Sequence, residues 1–298
     1  MSRVLVFGGS GFIGRQVCWE LLRHPQVSAL TSPGRGRCDL LAGSVDDLVA
    51  LLRAERPDAV VNCTGRLSGL DYDLIQANTA VTAKLIEAIS RYEPGTRLVR
   101  LGSAGEYGVI GRQHAVREDD PAVPVSAYGL SHLAGTHLVQ VASAAGEVDG
   151  VVLRVFNPIG PGLHRENMLG RAVALIREAQ LTGAGHITMA SLSAWRDFVD
   201  VRDLATAVCA ATLAPRLDER VLNIASGRAV QSRLAMTLLA AAAGFTGEVR
   251  EEAPVPIRSA SVDWMLGDIS RAAAQLRWAP VHDLTDSIKA IWIGVDEH

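Results

Sequence analysis

The chain of 298 residues is predicted to be an α/β protein, a doubly wound parallel sheet with a smaller C-terminal lobe. Short apolar runs alternate with segments of helical period through the first half, and the connections between them are short. Such alternation is typical of a parallel sheet covered by helices on both faces. A glycine-rich turn between the first apolar run and the first helical segment is the second indication.

Each element of the first half follows from a local pattern. The first strand, V-L-V-F, ends in glycines, and the helix after it stops before Pro25. Ser44 and Asp47 form a capping box that begins the second helix. The predicted strands are 4–7, 27–31, 59–63, 97–101 and 151–155. The predicted helices are 12–22, 45–53, 72–91 and 127–145.

The pattern becomes less regular after N-P-I-G-P-G at 157–162. Helices are predicted at 167–181, 202–214, 231–243, 269–276 and 283–292, and short strands at 187–189, 221–224 and 249–251. We therefore expect a Rossmann domain built from 1–160 and about 190–228. A discontinuous substrate lobe would be built from about 161–189 and 229–298. A ligand would lie between the two parts, at the carboxyl ends of the strands.

Composition excludes several classes of function. The net charge of -3 gives no general attraction to nucleic acid or to anionic lipid. The four cysteines are scattered without metal-ligand spacing, so we expect reduced thiols and no metal. The chain shows no signal peptide and no apolar stretch that could span a bilayer, which favours a cytoplasmic protein without a membrane partner. A homodimer formed through the helices at 72–91 and 127–145 stays open.

The turn G-G-S-G-F-I-G at 8–14 is the first candidate binding site. Gly8, Gly11 and Gly14 follow the first strand and open the first helix. Glycines let the backbone turn tightly and approach a pyrophosphate, while the helix N-terminus supplies amide donors. This placement predicts a dinucleotide site.

The end of the second strand indicates which dinucleotide binds. NAD sites usually have an acidic residue there, which bonds the ribose 2′-hydroxyl. This chain reads T-S-P-G-R-G-R at 31–37, without an acid and with two arginines. Arg35 or Arg37 would suit an added 2′-phosphate, so NADP(H) is the predicted cofactor. Asp39 comes later and is better placed to meet the adenine.

These features together resemble the extended short-chain dehydrogenase/reductase family, in its NAD-dependent epimerase/dehydratase branch. The resemblance runs nearly end to end. It rests on G-G-S-G-F-I-G (8–14), G-S-A-G-E-Y-G (102–108), Y-G-L-S-H (128–132), L-R-V-F-N-P-I-G-P-G (153–162), W-R-D-F-V-D-V-R-D (195–203) and L-N-I-A-S-G (222–227). The chain resembles in particular the reductases of GDP-4-keto-6-deoxy-mannose, including their tail at 267–280.

The resemblance implies a catalytic set. The family's serine or threonine matches Ser103, and its tyrosine acid matches Tyr128. Hydride attack on a carbonyl carbon leaves an oxygen that must receive a proton, which a phenol supplies while a hydroxyl holds the oxygen. The family lysine four residues after the tyrosine is His132 here, one helical turn away on the same face.

This histidine changes the expected chemistry. An imidazole can donate to a ribose hydroxyl, and an ordinary pKa near ~6.5 would leave it mostly neutral at pH 7. Activity is then expected to vary between roughly pH 6 and 8, where histidine titrates. The only two lysines, Lys84 and Lys289, are not expected to substitute. An inactive homologue with a partly buried histidine is the alternative.

One subclass of the family is argued against. Its 4,6-dehydratases carry an Asp-Glu pair directly after the catalytic threonine, as acid and base for water elimination. Those positions are Ala104 and Gly105 here. Glu106 is one residue late and, in a strand-like context, is expected to face away.

The substrate side rests on fewer residues. In the family, Asn157 lies beside the nicotinamide and the substrate phosphates; its alternative is an Asx turn. Arg196 and Arg258 match arginines that grip the phosphates of a nucleotide sugar. The tail departs from the pattern, because Ser259 and Ser261 replace an expected Pro and Asp.

The sequence therefore predicts an NADPH-dependent ketoreductase acting on a nucleotide-linked 4-keto-6-deoxy sugar. A ketone of a polyketide or another secondary metabolite is one alternative, and a non-catalytic NADP(H)-binding sensor is another. The residues assigned to the cofactor are Gly8, Ser10, Gly11, Phe12, Ile13, Gly14, Arg35, Arg37, Asp39, Leu40, Cys63, Thr64, Gly65, Tyr128, His132, Val155 and Asn157. Those assigned to the substrate are Ser103, Asn157, Arg196 and Arg258.

Overall fold

A computed structural model describes residues 1–254 and 262–294 of the chain. The strands within these ranges are β1 (Ser2–Phe7), β2 (Val27–Thr31), β3 (Ala59–Asn62), β4 (Arg97–Ser103), β5 (Asp149–Val155), β6 (Pro158–Ile159), β7 (His186–Ala190), β8 (Trp195–Asp197), β9 (Val199–Asp200), β10 (Val221–Ile224), β11 (Ala229–Gln231) and β12 (Glu248–Ala253). The helices are α1 (Phe12–Arg23), α2 (Val45–Glu55), α3 (Asp71–Ile75), α4 (Val81–Tyr92), α5 (Ala127–Ala144), α6 (Met168–Thr182), α7 (Val201–Leu213), α8 (Ser232–Ala242), α9 (Ser270–Leu276) and α10 (Leu284–Ile293).

The predicted doubly wound α/β class is confirmed. Six strands form one parallel sheet in the order β2-β1-β3-β4-β5-β10. The crossover direction reverses between β1 and β3, which opens a crevice at the carboxyl ends of these two strands. Their ends meet there, because a methyl group built on Gly8 would lie 3.0 Å from the Cys63 carbonyl.

Two apolar clusters cover the two faces of the sheet. One joins the sheet to α1 and α7, and the other joins it to α2, α4 and α5. Burial on both faces explains why β3 and β10 are buried at every position instead of alternating. A third cluster, contributed by α6, β7, α8 and α10, forms the core of the C-terminal lobe.

Part of the tail packs on the sheet rather than in this lobe. Ala272 and Trp278, which the sequence assigned to the substrate lobe, lie in the cluster that also holds α1 and α7. The Trp278 indole donates to the Asp203 carbonyl at 3.0 Å. The domain boundaries stay a prediction, and these contacts place the segment around α9 next to the Rossmann core.

The helix predicted over 72–91 contains an irregular turn. One π-helical turn over Gln76–Ala80 connects α3 to α4 and places Asn78 in the interior, 3% exposed. Such a turn inside a helix frequently marks a functional site. The capping box of Ser44 and Asp47 is confirmed at the start of α2.

Three further strand pairs lie outside the six-stranded sheet. Strand β6 pairs with β9, β8 pairs with β11, and β7 pairs with β12. Strands β6, β8, β9 and β11 were not predicted, since two or three residues carry no periodicity. None of the helices in the described ranges has the length and apolar character needed to cross a membrane.

Candidate active site

The glycine turn leaves the start of α1 open to a ligand. Gly8 has a φ of 79°, and a methyl group on Gly14 would lie 2.0 Å from the Gly8 carbonyl oxygen. Gly11 is the N-cap of α1 and gives no side-chain cap, and the first turn carries no acidic residue. Ser10 and Gly11 are exposed. The uncapped first turn of α1 and the positive end of its helix dipole therefore fit a phosphate.

Gly9 is a residue of this turn that the sequence analysis missed. A methyl group built there would lie 2.1 Å from the Ser32 Oγ and 2.8 Å from the Cys18 Sγ. The turn therefore packs directly against the residue that follows β2. The doubled glycine at 8–9 was the available sign, since only the first of the two fits the expected spacing.

The loop after β2 holds its two arginines in different ways. Glu55 accepts a hydrogen bond from the Thr31 hydroxyl at 2.7 Å and forms an ion pair with Arg37. Arg35 has no ion pair among the described residues. Of the two, Arg35 is therefore the guanidinium left for an added phosphate.

The loop at 39–43 is held by hydrogen bonds to its own backbone and by Lys84. Asp39 Oδ1 accepts from the amides of Ala42 and Leu41, and these bonds lower the pKa of that carboxyl. Leu40 is buried in the core, and its carbonyl accepts from Lys84 Nζ at 2.9 Å. The lysine also donates to the Gly43 carbonyl at 2.7 Å, so Lys84 has a structural role away from Tyr128.

The loop after β3 is connected to α5 through Asn78. Thr64 donates its amide and hydroxyl to the Asn62 side chain at 3.0 and 2.6 Å. Asn78 Oδ1 accepts from the Arg66 amide at 2.8 Å, and Asn78 Nδ2 donates to the Ser131 Oγ at 3.0 Å. The buried amide thus joins the predicted cofactor loop to α5. The only sequence feature that could have indicated this connection was an asparagine inside a long apolar helix.

Ser103 and Tyr128 face one common space. A methyl group built on Gly105 would lie 3.4 Å from the Ser103 Oγ and 3.4 Å from the edge of the Tyr128 ring. Gly129 permits this approach, because a methyl group there would lie 2.2 Å from the Gly105 carbonyl oxygen. Ser126 caps the helix by accepting from the Gly129 amide at 3.2 Å. Ser103 and Tyr128, two of the three predicted catalytic residues, therefore lie close together.

His132 lies against the tyrosine and is deeply buried. The centroids of the Tyr128 and His132 rings are 4.7 Å apart at an interplanar angle of 60°. The imidazole is 7% exposed, and its Nδ1 has no hydrogen-bond partner among the described residues. Burial, with a smaller effect of the Arg100 charge, holds the pKa of His132 well below its usual value.

The expectation that His132 titrates between pH 6 and 8 is therefore wrong. A histidine in water has a pKa near ~6.5, but an imidazolium at this position would lose hydration and face a guanidinium. The imidazole stays neutral throughout the physiological range.

Arg100 is the second buried residue that sequence reasoning missed. It lies on β4, is 2% exposed, and points beneath α5. Its Nε donates to the Thr82 Oγ1 at 2.9 Å, its Nη2 to the Asn78 carbonyl at 3.2 Å, and its Nη1 to the Thr136 Oγ1 at 3.5 Å. All three of these partners are uncharged.

Glu106 faces away from the substrate space, as expected, although its backbone is a 3-10 turn rather than a strand. Its carboxylate accepts from the Ser103 amide at 2.9 Å, from the Thr136 hydroxyl at 2.8 Å and from Arg154 Nε at 2.8 Å. The side chain is fully buried, so it is structural and cannot carry protons for elimination.

The predicted substrate residues are only partly described. The Asn157 amide donates to the Asp197 carbonyl at 2.9 Å, which connects β5 to β8 in place of an Asx turn. Arg196 is half-buried, donates to the Trp195 carbonyl at 2.8 Å, and has no ion pair among the residues in the described ranges. Burial lowers the pKa of Arg196, partly offset by Asp263. Arg258, with Ser259 and Ser261, lies outside the described residues.

The predicted family is confirmed by comparison with known proteins. Residues 4–225 match the NAD dependent epimerase/dehydratase family. The chain belongs to this family. A dTDP-6-deoxy-L-talose 4-dehydrogenase (NAD(P)(+)) from Kitasatospora kifunensis is 36% identical over 98% of this chain and 95% of that protein. A UDP-glucose 4-epimerase from Azospirillum brasilense is 29% identical over 96% of this chain and 89% of that protein.

Solved structures agree on the fold. The structure of RMD from Pseudomonas aeruginosa complexed with NADPH has a TM-score of 0.87 and 24% sequence identity, and the match covers 100% of both chains. At that identity the likeness concerns the fold alone. The UDP-glucose 4-epimerase of Thermus thermophilus in complex with NAD has a TM-score of 0.82 at 25% identity, over 99% of both chains.

Proposed function

We propose that the protein is an NADP(H)-dependent ketoreductase that reduces the 4-keto group of a nucleotide-linked 4-keto-6-deoxyhexose. The observation that carries this proposal is the closeness of Ser103 and Tyr128, since the Ser103 Oγ and two ring carbons of Tyr128 each lie 3.4 Å from one point beside Gly105. A carbonyl oxygen in that space can meet a hydroxyl and a phenol together. Ser103 also ends a strand of the sheet whose crevice carries the glycine turn.

The hydrogen-bond pattern around Ser103 supports the role proposed for it. Its Oγ accepts from the Gly105 amide at 3.1 Å, so the hydroxyl hydrogen is left to donate. That hydrogen would hold the substrate oxygen, and Tyr128 would transfer its phenolic proton to the same oxygen. The bound nicotinamide cofactor would supply the hydride. Tyr128 would then recover a proton from water, since its ring is only half-buried.

The cofactor proposal rests on residues that fit a phosphorylated dinucleotide. The glycine turn and the uncapped N-terminus of α1 would hold the pyrophosphate. Arg35 would take the 2′-phosphate, while Arg37 is held by Glu55. His132 would reach the nicotinamide ribose, although this contact brings no positive charge.

The substrate proposal rests on Arg196 and on one relative. A half-buried guanidinium without an ion pair among the described residues suits a diphosphate. The relative that is 36% identical is named as a 4-dehydrogenase of a dTDP-6-deoxy sugar. The dTDP-linked ketosugars are therefore the first substrates to assay, and the GDP-linked ones, suggested by the sequence resemblance, are the second.

Elimination and sensing are the competing functions. Ala104 and Gly105 offer no carboxylate in the common space, which argues against a dehydratase. A non-catalytic NADP(H) sensor has one observation in its favour, because neutral His132 leaves Tyr128 without the family's adjacent ammonium. A secondary-metabolite ketone was favoured by His132 and by the altered residues Ser259 and Ser261, and the two serines lie outside the described residues.

The test measures NADPH oxidation with dTDP- and GDP-linked 4-keto-6-deoxyhexoses. Tyr128→Phe is expected to lower kcat by about 10²–10⁴-fold, the usual contribution of one general acid, and to leave the NADPH Kd nearly unchanged. Tyr72→Phe is the matched control, because Tyr72 is 70% exposed on α3, and it should keep full activity. Tight NADPH binding without turnover of either sugar class would instead indicate the sensor.

A further inference from the structure

The charge normally carried by the family lysine has another candidate source in this chain. We propose that Arg100 and His132 divide the lysine's role between them. The Arg100 guanidinium supplies the positive charge that stabilises the Tyr128 phenolate, and the neutral His132 supplies the hydrogen bond to the cofactor ribose. The inference rests on the proposed reductase function and makes Arg100 a positioning residue, because the buried guanidinium is proposed to act through Tyr128.

The packing of α5 places the Arg100 guanidinium against the helix at Gly135 and Thr136. A methyl group built on Gly135 would lie 2.3 Å from the Arg100 Nη2 and 2.6 Å from its Cζ. The helix therefore lies directly on the guanidinium, and any larger residue at 135 would displace it. Thr136, a partner of Arg100, is four residues after His132, which is four residues after Tyr128. These three residues share one helix face.

The buried charges under this face do not balance. Glu106 forms its direct ion pair with Arg154, at 2.8 Å. Arg100 reaches the same carboxylate only through the Thr136 hydroxyl, over 3.5 and 2.8 Å. Two guanidinium groups thus face one carboxylate, with no other carboxylate paired to Arg100 in the described part of the chain. Arg100 itself therefore has no carboxylate in direct contact among the described residues, while Glu118, the other buried carboxylate nearby, pairs with Arg271.

This surplus favours an anion on Tyr128. A charge removed from water interacts with its neighbours more strongly than one at the surface. Burial lowers the pKa of Arg100, while the negative charges of Glu106 and Tyr128 oppose that effect. Tyr128 is thus one of the two groups whose ionised form balances the guanidinium. The other polar neighbours, Thr82 and the Asn78 carbonyl, are neutral.

The positive charge of Arg100 also explains why a histidine, and not a lysine, is tolerated at position 132. A lysine ammonium at 132 would be a second cation beside Arg100, whereas a neutral imidazole adds no repulsion. One ring nitrogen of a neutral imidazole carries a hydrogen and can still donate. The buried Nδ1 without a partner among the described residues is consistent with a lone pair in this positive environment.

The test follows tyrosinate formation in the ligand-free protein by ultraviolet difference spectroscopy, with Tyr128→Phe as the blank. Arg100→Gln keeps hydrogen-bond donors and removes the charge, so the Tyr128 midpoint should move to higher pH by about one unit. Arg97→Gln is the matched control. Arg97 is a buried arginine of the same strand, but it bonds Asp149 and the carbonyls of Ala211 and Ala214. Arg97→Gln should destabilise the fold and leave the midpoint of Tyr128 ionisation unchanged.

A second variant distinguishes the loss of positive charge from a structural effect of Arg100→Gln. Adding His132→Lys to Arg100→Gln should return the midpoint to within a few tenths of the parent value and restore most of the lost rate. His132→Lys alone should lower the midpoint and the thermal stability, and it carries the test if Arg100→Gln does not fold.

An unmoved midpoint in Arg100→Gln, or in His132→Lys, would overturn the proposal. The proposal would also be overturned if Arg97→Gln moved the Tyr128 midpoint as far as Arg100→Gln does. Because the titration needs neither cofactor nor turnover, its outcome is independent of whether the reductase assignment stands.

Discussion

Removing the carboxylate of Glu106 should destabilise the protein strongly. Glu106 is fully buried and accepts from the Ser103 amide, the Thr136 hydroxyl and Arg154. Glu106→Gln keeps the shape but leaves Arg100 and Arg154 buried without a counter-charge. Breaking a buried pair in this way costs about 3–5 kcal/mol, so the midpoint of thermal unfolding should fall by about 5–10 °C.

Urea and thermal unfolding of the parent and the variant measure this loss. The matched control is Asp218→Asn, which breaks the ion pair of Arg216 and Asp218, whose side chains are 84% and 67% exposed. Exposed pairs contribute about 0–1 kcal/mol, so this variant should unfold close to the parent. A Glu106→Gln protein that stays within about 1 kcal/mol of the parent would refute the charge balance described beneath α5.

The histidine and the loop after β2 give two further predictions. Unfolded His132 takes up a proton near pH ~6.5 and the buried residue does so only well below, so folding stability should fall as the pH drops below about 6.5. His132→Gln should flatten that slope by up to about 1.4 kcal/mol per pH unit, measured by urea unfolding from pH 7 to 5; an unchanged slope would contradict the buried neutral state. Arg35→Ala should weaken NADPH binding about tenfold or more and spare NADH, whereas Arg37→Ala, whose guanidinium pairs with Glu55, should have a smaller effect. Fluorescence titration of both dinucleotides checks this, and equal losses for NADH would exclude a 2′-phosphate contact.

The parts of the fold that could be predicted have local causes. The capping box of Ser44 and Asp47 lies within four residues, and the strand at 27–31 is bounded as predicted. The glycine turn was likewise visible, because its spacing is set by contacts between Gly8 and Gly14.

The parts that were missed depend on distant contacts. The run R-L-V-R-L was predicted as a strand without any sign that Arg97 and Arg100 would both be buried, yet they are. Arg97 contacts Asp149 on β5, 52 residues away, and two carbonyls at the end of α7 that are more than a hundred residues away. The lowered pKa of His132 was missed for the same reason, because burial by distant elements cannot be read from the residue type. The π turn that carries Asn78 also lacks a local sign beyond its asparagine.

The family lysine, which this chain lacks at position 132, has two roles in catalysis. One role is a hydrogen bond to the ribose, which a neutral imidazole can make; the other is a positive charge near the phenol. A charge need not come from the same helix, because in a buried region its effect depends on distance and on neighbouring charges. Arg100, without a direct carboxylate partner among the described residues, meets that requirement from β4. With a lysine at 132 beside it, the site would hold two adjacent cations and bind the positively charged, oxidised nicotinamide less well. The histidine is therefore consistent with a working reductase whose charge has moved to the sheet, and loss of the lysine alone is weak support for a sensor.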